Sequence, residues 1–222
     1  MGAESSAFYQ TYQRLLDYYG SQPWWPAEHV FEIMVGAILT QNTAWTNVEK
    51  AIANLKQHSL CEAQPLAVSE QDHLAQIIRP SGYFNQKAQR LIRFARWYLE
   101  QGGYPSLQAL APEQLRQALL AINGIGEETA DDMVLYAFAM PYFVIDSYTR
   151  RIFSRLALVA GTEKYTALQA RFHSELEADV ELYQQYHALI VTHAKQHCMK
   201  TPECMGCPLT ERCEFEYGRE KK

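Results

Sequence analysis

Apolar side chains recur at intervals of three and four along nearly the whole chain. In Phe8-Tyr12-Leu15-Leu16-Tyr19 they fall on one helix face, behind serines Ser5 and Ser6 that can cap it. A half-buried strand needs a period of two, so this spacing commits most of the sequence to helix. The same pattern predicts helices at about 28–40, 43–57, 70–79, 85–101, 112–121, 127–138, 147–158, 164–177 and 180–196. Turn signals at Pro80-Ser81-Gly82, Gly102-Gly103-Tyr104-Pro105 and Gly124-Ile125-Gly126 separate them. Only short β-like runs occur, such as Tyr142-Phe143-Val144-Ile145, so the expected class is all-α.

A chain of 222 residues, 48% hydrophobic and 20% charged, can bury one large core or two smaller ones and is not a disordered polymer. No apolar run approaches the roughly 20 residues of a membrane span. The opening MGAESSAFYQ has no basic stretch followed by an apolar one, so no secretory signal is read there. A cytoplasmic location without membrane contact is the expectation. The formal net charge of −5 argues against duplex binding, which draws on phosphate neutralisation. Net charge does not report distribution, however. Lys87, Arg90 and Arg93 can form a local basic face, as can Arg150 and Arg151, or these can be solvated helix charges.

Four of the five cysteines lie close to the C-terminal end: Cys198, Cys204, Cys207 and Cys213, spaced C-x5-C-x2-C-x5-C. One short loop can thus bring four thiolates to a single centre. Structural zinc sites more often use two paired knuckles. A single C-x2-C with two longer arms suits a larger [4Fe-4S] cube, and from spacing both chemistries stand. Cys61 stands apart and is read as a small buried hydrophobe.

Between two predicted helices lies Leu119-Leu120-Ala121-Ile122-Asn123-Gly124-Ile125-Gly126-Glu127-Glu128-Thr129-Ala130. Two glycines around an aliphatic residue make a tight turn and leave the next helix's backbone N–H groups available to a phosphate. The plainer reading is a connector between packed helices. About 20 residues on, Phe143-Val144-Ile145 runs into Asp146, where an acid opens a helix as an N-cap or serves as a catalytic carboxylate.

Helix, hairpin, helix, apolar run, Asp, helix and four-cysteine loop together resemble the endonuclease III family of DNA glycosylases, from about residue 28 to Cys213. Leu39-Thr40-Gln41-Asn42-Thr43 resembles the segment whose Gln enters the space left by a flipped base. Gly82-Tyr83-Phe84-Asn85-Gln86-Lys87-Ala88 resembles the loop carrying the wedge residue, which would be Tyr83. The resemblance implies two helical domains with a DNA cleft between them: a barrel of residues 28–137 with the hairpin, and a second domain of residues 1–27 plus 138–222. It implies a [4Fe-4S] cluster on the four cysteines and a monomer acting on double-stranded DNA that contains a damaged base. DNA contacts would come from Tyr83, Asn85, Lys87, Gly124, Gly126 and Thr129. The first cysteine interval is x5 where the family pattern has x6, which leaves four ligands available.

One departure bears on chemistry. Bifunctional members carry a lysine two residues after the second hairpin glycine, and its amine forms a Schiff base. Here that residue is Glu128, which cannot form an imine, and Glu127 and Thr129 beside it do not replace it. The expected enzyme therefore uses water and stops after base removal, with Asp146 stabilising positive charge on the deoxyribose or orienting the water. Glu128 would couple to it, or is a first-turn surface charge. Trp24-Trp25-Pro26 and Trp45 resemble the 3-methyladenine DNA glycosylase III branch, in which aromatic rings sandwich a methylated purine. That branch shares the pattern Gly-Ile-Gly-x-Glu-Thr-Ala-Asp, matched from Gly124 to Asp131, and can lack the iron–sulfur loop. A cationic methylated adenine would be held by Trp24, Trp25, Trp45 and Gln41, unless the indoles are core. The alternatives are an oxidised-pyrimidine or mismatch glycosylase of the same superfamily, or a lesion-binding module without catalysis.

Overall fold

The computed structural model describes residues 6–23 and 25–215. These contain α1 (Ala7–Tyr19), α2 (Val30–Leu39), α3 (Trp45–Gln57), α4 (Ala63–Ala67), α5 (Gln71–Ile77), α6 (Phe84–Glu100), α7 (Gly103–Gln108), α8 (Pro112–Leu120), α9 (Glu127–Asp132), α10 (Ser147–Arg155), α11 (Tyr165–Glu175) and α12 (Val180–Gln196). No β-strand occurs among the described residues, and no helix there is long and apolar enough to cross a membrane. The class is all-α, as the apolar period predicts.

The chain divides into two compact units, one spanning Trp25–Met140 and the other joining the residues before Trp25 to those from Pro141 onward. In the first, α2 buries Phe31, Met34, Val35, Ala37, Ile38 and Leu39. A helix apolar on every side belongs inside, and each such aliphatic contributes about 1.5–3 kcal/mol. Helix α6 packs on α4 and α5 and buries Leu91, Ile92, Phe94 and Ala95. Helix α9 does not continue to residue 138 as the spacing suggests. It changes at Met133–Ala137 to a π-helical turn whose five side chains are all buried.

The second unit has an aromatic core. Phe143 stacks on Phe172 at 4.2 Å, Phe8 meets Phe172 edge-on at 4.9 Å, and the Tyr186 hydroxyl donates to the Phe8 carbonyl at 2.6 Å. Ser6 caps α1 by accepting from the Phe8 amide. The run before Asp146 is extended and buried but pairs with no strand. Its backbone is served instead by α11 side chains four residues apart. The Phe143 amide donates to His173 Nε2 at 3.0 Å, Gln169 Nε2 donates to the Phe143 carbonyl at 2.7 Å, and the Ile145 amide donates to the Tyr165 hydroxyl at 3.2 Å. Buried backbone polar groups must find partners, and one face of a helix supplies them here.

Candidate active site

The hairpin between α8 and α9 is braced from behind. Arg116 on α8 donates through Nε to Asp131 Oδ1 at 2.6 Å and through Nη2 to Oδ2 at 3.3 Å, both residues buried. The two glycines differ in kind. Gly124 sits at φ 97°, and a Cβ there would lie 2.7 Å from Arg90 Cγ. Backbone and packing both demand glycine. Gly126 has φ −94°, and a Cβ there would meet nothing within 4 Å. Nothing inside the protein requires glycine at that position.

Gln41 reaches the hairpin. Its Nε2 donates to the Gly124 carbonyl at 3.1 Å and to Thr129 Oγ1 at 2.9 Å, and Arg90 donates to its Oε1. Thr129, expected among DNA contacts, is 5% exposed and receives Gln41 instead. Its short polar side chain is used to orient the glutamine.

Tyr83 projects into solvent, 66% exposed, from the left-handed region at φ 45°, where it caps α6. Asn85 is exposed in the following turn. Lys87 contradicts its expected place on a basic, DNA-facing surface. It is 1% exposed, and Nζ donates to the Leu39 carbonyl at 2.8 Å, the Ser81 carbonyl at 2.7 Å and Thr43 Oγ1 at 3.2 Å. The ammonium spends its three protons tying the Gln41 loop to the Tyr83 loop. Burial, helped by the charge of Arg90, lowers its pKa to about 8.

Trp24 lies outside the described residues. Trp25 is half-buried and meets Trp45 edge-on at 5.2 Å and Tyr136 at 5.1 Å, tilted by 38°. Gly36 makes room for it, since a Cβ there would fall 3.1 Å from the indole Nε1. Tyr136 belongs to the π-helical turn. Trp45 is also half-buried and donates from Nε1 to Glu49 Oε1 at 3.0 Å. Neither indole is an enclosed core residue. Tyr136 and Gly36 escape sequence reasoning, although a lone glycine in an apolar helix is a signal of close approach.

Of the two readings of Asp146, the structure shows the N-cap, and it leaves the second carboxylate oxygen facing a histidine. One oxygen, Oδ1, accepts from the Thr149 amide and the Thr149 hydroxyl, each at 2.7 Å, which makes it the N-cap of α10. The other, Oδ2, lies 3.6 Å from His187 Nε2, with the carboxylate 12% exposed. Burial opposes the charged form, but His187 and the Thr149 contacts outweigh it and hold the carboxyl below its ordinary range. It is an ionised group at neutral pH. His187, deep in α12, carries no sequence signal. Glu128 is exposed in the first turn of α9.

The four cysteines line one cavity, with Ile152, Leu156 and Leu209 as apolar walls. Arg155 of α10 is the post of the loop. It donates to Cys198 Sγ at 3.1 Å and to the carbonyls of Met199 at 2.7 Å and Lys200 at 3.0 Å, while its own carbonyl accepts from the Glu214 amide at 3.0 Å. Burial and the neighbouring thiols push the Cys204 thiol up, and burial does the same to Cys207. A cationic centre that takes the thiolates would relieve that crowding, so the donor set fits a metal centre. Among the described residues a different trio, His29, Glu32 and Cys61, brings ligand atoms within 4.8 Å of one another. There the Glu32 carboxylate is already held, accepting from Lys56 at 2.9 Å and from the Glu28 amide at 3.0 Å. Burial raises the Cys61 thiol to about 12.

A braced Gly-Ile-Gly turn between helices, followed by an ionised aspartate at the head of a helix, defines a helix-hairpin-helix DNA repair protein. Residues 35–178 match the family described as HhH-GPD superfamily base excision DNA repair protein, and the chain belongs to it. It is a DNA N-glycosylase of base excision repair. A protein of Methanocaldococcus jannaschii bearing the name of a DNA repair glycosylase is 46% identical over 208 residues, 92% of this chain and 94% of that one. Endonuclease III of Thermotoga maritima is 28% identical, over 86% of this chain and 85% of its own. Among solved structures, the H. pylori 3-methyladenine DNA glycosylase bound to 1,N6-ethenoadenine is similar with a TM-score of 0.72 and 30% identity, covering 85% of this chain and 97% of that one. A non-covalent endonuclease III–DNA complex has a TM-score of 0.83 over 100% of both chains at 18% identity, a likeness of fold.

Proposed function

We propose that the chain is a monofunctional glycosylase that flips an alkylated purine of the 3-methyladenine type out of duplex DNA and hydrolyses its glycosidic bond. The observation that carries this is the pair of half-buried indoles, Trp25 and Trp45, set against the buried ring of Tyr136. A methylated adenine is cationic and draws on ring faces through stacking and cation–π attraction. It is also a good leaving group that needs little acid assistance. The 30% identity to the H. pylori alkylpurine enzyme supports the same class.

Asp146, ionised, would stabilise the positive charge that grows on the sugar as the base departs, while water adds to the anomeric carbon. Its second oxygen can orient that water or face the cation. Glu128 offers no amine, and Lys87 is buried with every Nζ proton engaged, so neither forms a Schiff base. Gly126 leaves room for a phosphate to approach the hairpin backbone, Gln41 would enter the space left by the flipped base, and Tyr83 would wedge into the opposite strand.

The four cysteines would hold a [4Fe-4S] centre, which supplies a cross-link for the terminal loop. Support comes from the single cavity that all four cysteines line and from their spacing, one C-x2-C with two longer arms, which suits a cube better than paired zinc knuckles.

The decisive experiment offers purified protein methylated-purine, thymine-glycol and G·U duplexes, with and without alkali, and with borohydride during turnover. Methylated DNA is expected to yield intact abasic strands that break only in alkali, with no trapped adduct. Efficient trapping, or cleavage of thymine-glycol DNA alone, would overturn the reading.

A further inference from the structure

Helix α6 carries four cations three residues apart; Arg96 donates to the Ala67 carbonyl at 2.8 Å, and the other three, Lys87, Arg90 and Arg93, are those whose spacing suggests a DNA-facing surface. Each is turned inward or sideways onto a different segment of the same unit. Lys87 joins the Leu39–Thr43 stretch to Ser81. Arg90 donates to Gln41 Oε1. Arg93 donates to the Asn123 carbonyl at 2.8 Å and to Asn123 Oδ1 at 3.1 Å, at the edge of the hairpin. The three segments so held carry Gln41, Tyr83 and the hairpin glycines.

Arg90 is the centre of the arrangement. Its aliphatic stem lies over Gly124 so closely that a Cβ on that glycine would fall 2.7–2.9 Å from Cγ, Nε and Cδ. Its guanidinium then holds Gln41 Oε1, while Gln41 Nε2 is committed to the Gly124 carbonyl and Thr129 Oγ1. Both ends of the amide are therefore fixed, and its flip state is set by a cation that accepts nothing.

We propose that α6 is the positioning helix of the DNA-reading face, and that Arg90 acts on the base gap through Gln41, holding that amide ready against the hairpin. The inference rests on Gln41 as the residue that enters the vacated space. A glutamine fixed before DNA arrives loses less side-chain freedom when it enters, so it contributes more to recognising an opened site than to gripping plain duplex.

The test compares binding to a duplex with a tetrahydrofuran abasic-site analogue against the intact duplex of the same sequence. Arg90→Met keeps the stem over Gly124 and removes the donor. Arg90→Met and Gln41→Ala should each lower the preference for the abasic duplex about tenfold, the scale of one charge-assisted hydrogen bond. The double variant should be no worse than Gln41→Ala alone, because Arg90 acts through Gln41. Arg90→Lys, which restores a donor, should recover part of the lost preference, a rescue that a general loss of folding would not permit. Wild-type preference in Arg90→Met, beside a loss in Gln41→Ala, overturns the inference and leaves the function standing. Additive losses in the double variant overturn it too, since Arg90 would then meet DNA itself. Wild-type preference in Gln41→Ala overturns both the inference and the gap-filling role.

Discussion

Asp146 divides its duties between its two oxygens, and that division makes them separable. Oδ1 caps α10 through Thr149, while Oδ2 faces His187. Asp146→Asn keeps a capping oxygen and removes the charge. Base excision should fall by about a hundredfold or more while the protein stays folded, as single-turnover kinetics and melting would show. Asp146→Ala should in addition cost about 1–2 kcal/mol through the lost cap. The folded carboxyl sits below its ordinary range, so its charge stabilises the fold above the unfolded pKa, and that stability is lost as pH falls through the folded one. The melting gap between wild type and Asp146→Asn should thus be open at pH 7 and close in acid. A gap that widens in acid would reverse the assignment. At Tyr83 the conflict is between conformation and use. A tyrosine at φ 45° costs about 1–2 kcal/mol over glycine. Tyr83→Gly should raise stability by roughly 1 kcal/mol in denaturant titration and weaken binding to lesion duplex.

Among elements, the hairpin offers the cleanest experiment. Gly126→Val meets open space in the free protein, so it should fold normally and weaken binding to all duplexes alike. Unchanged binding would reduce the turn to a connector. Gln169→Leu should destabilise by about 1–3 kcal/mol, because the Phe143 carbonyl it serves is buried. It should also lower excision, since that segment leads into Asp146. Trp45→Ala should reduce excision of methylated purine by about 1–3 kcal/mol with oligonucleotide binding less affected. The long helices and the hairpin were legible from spacing and glycine placement. Short α4 and α7 were not, since five or six residues carry less than two periods, and Gly102-Gly103 reads as a turn although α7 starts there. The extended run before Asp146 was legible as β-like, but a single chain cannot announce that helix side chains replace its sheet partners. Lys87 was misplaced because residue type says surface, and only acceptors outside its own helix, from 6 to 48 positions away, make burial tolerable. The cysteines were legible by count and spacing. Arg155 was not, because its acceptors are backbone carbonyls that any sequence has.

At the scale of the molecule, α10 links two features of one unit, with Asp146 at its head and Arg155 at its tail holding the cysteine loop. Purified protein should contain about four iron and four sulfide per chain by chemical assay. Stoichiometric zinc without sulfide would overturn that assignment. Cys198→Ala should lower the melting temperature markedly, and Cys61→Ala far less. The unit itself is assembled from both ends of the described chain, for α1 packs on α12 through Tyr186 and Phe8, and Gln22 exchanges hydrogen bonds with Gln185. On the ribosome, then, α1 must wait through the synthesis of the whole Trp25–Met140 unit before any partner exists for its apolar face. The unit that carries the hairpin can be complete early. The Asp146 carboxylate is set in place only after α11 and α12 have also been made, so on the proposed function a nascent chain stalled before them would present the hairpin without the group that excision needs.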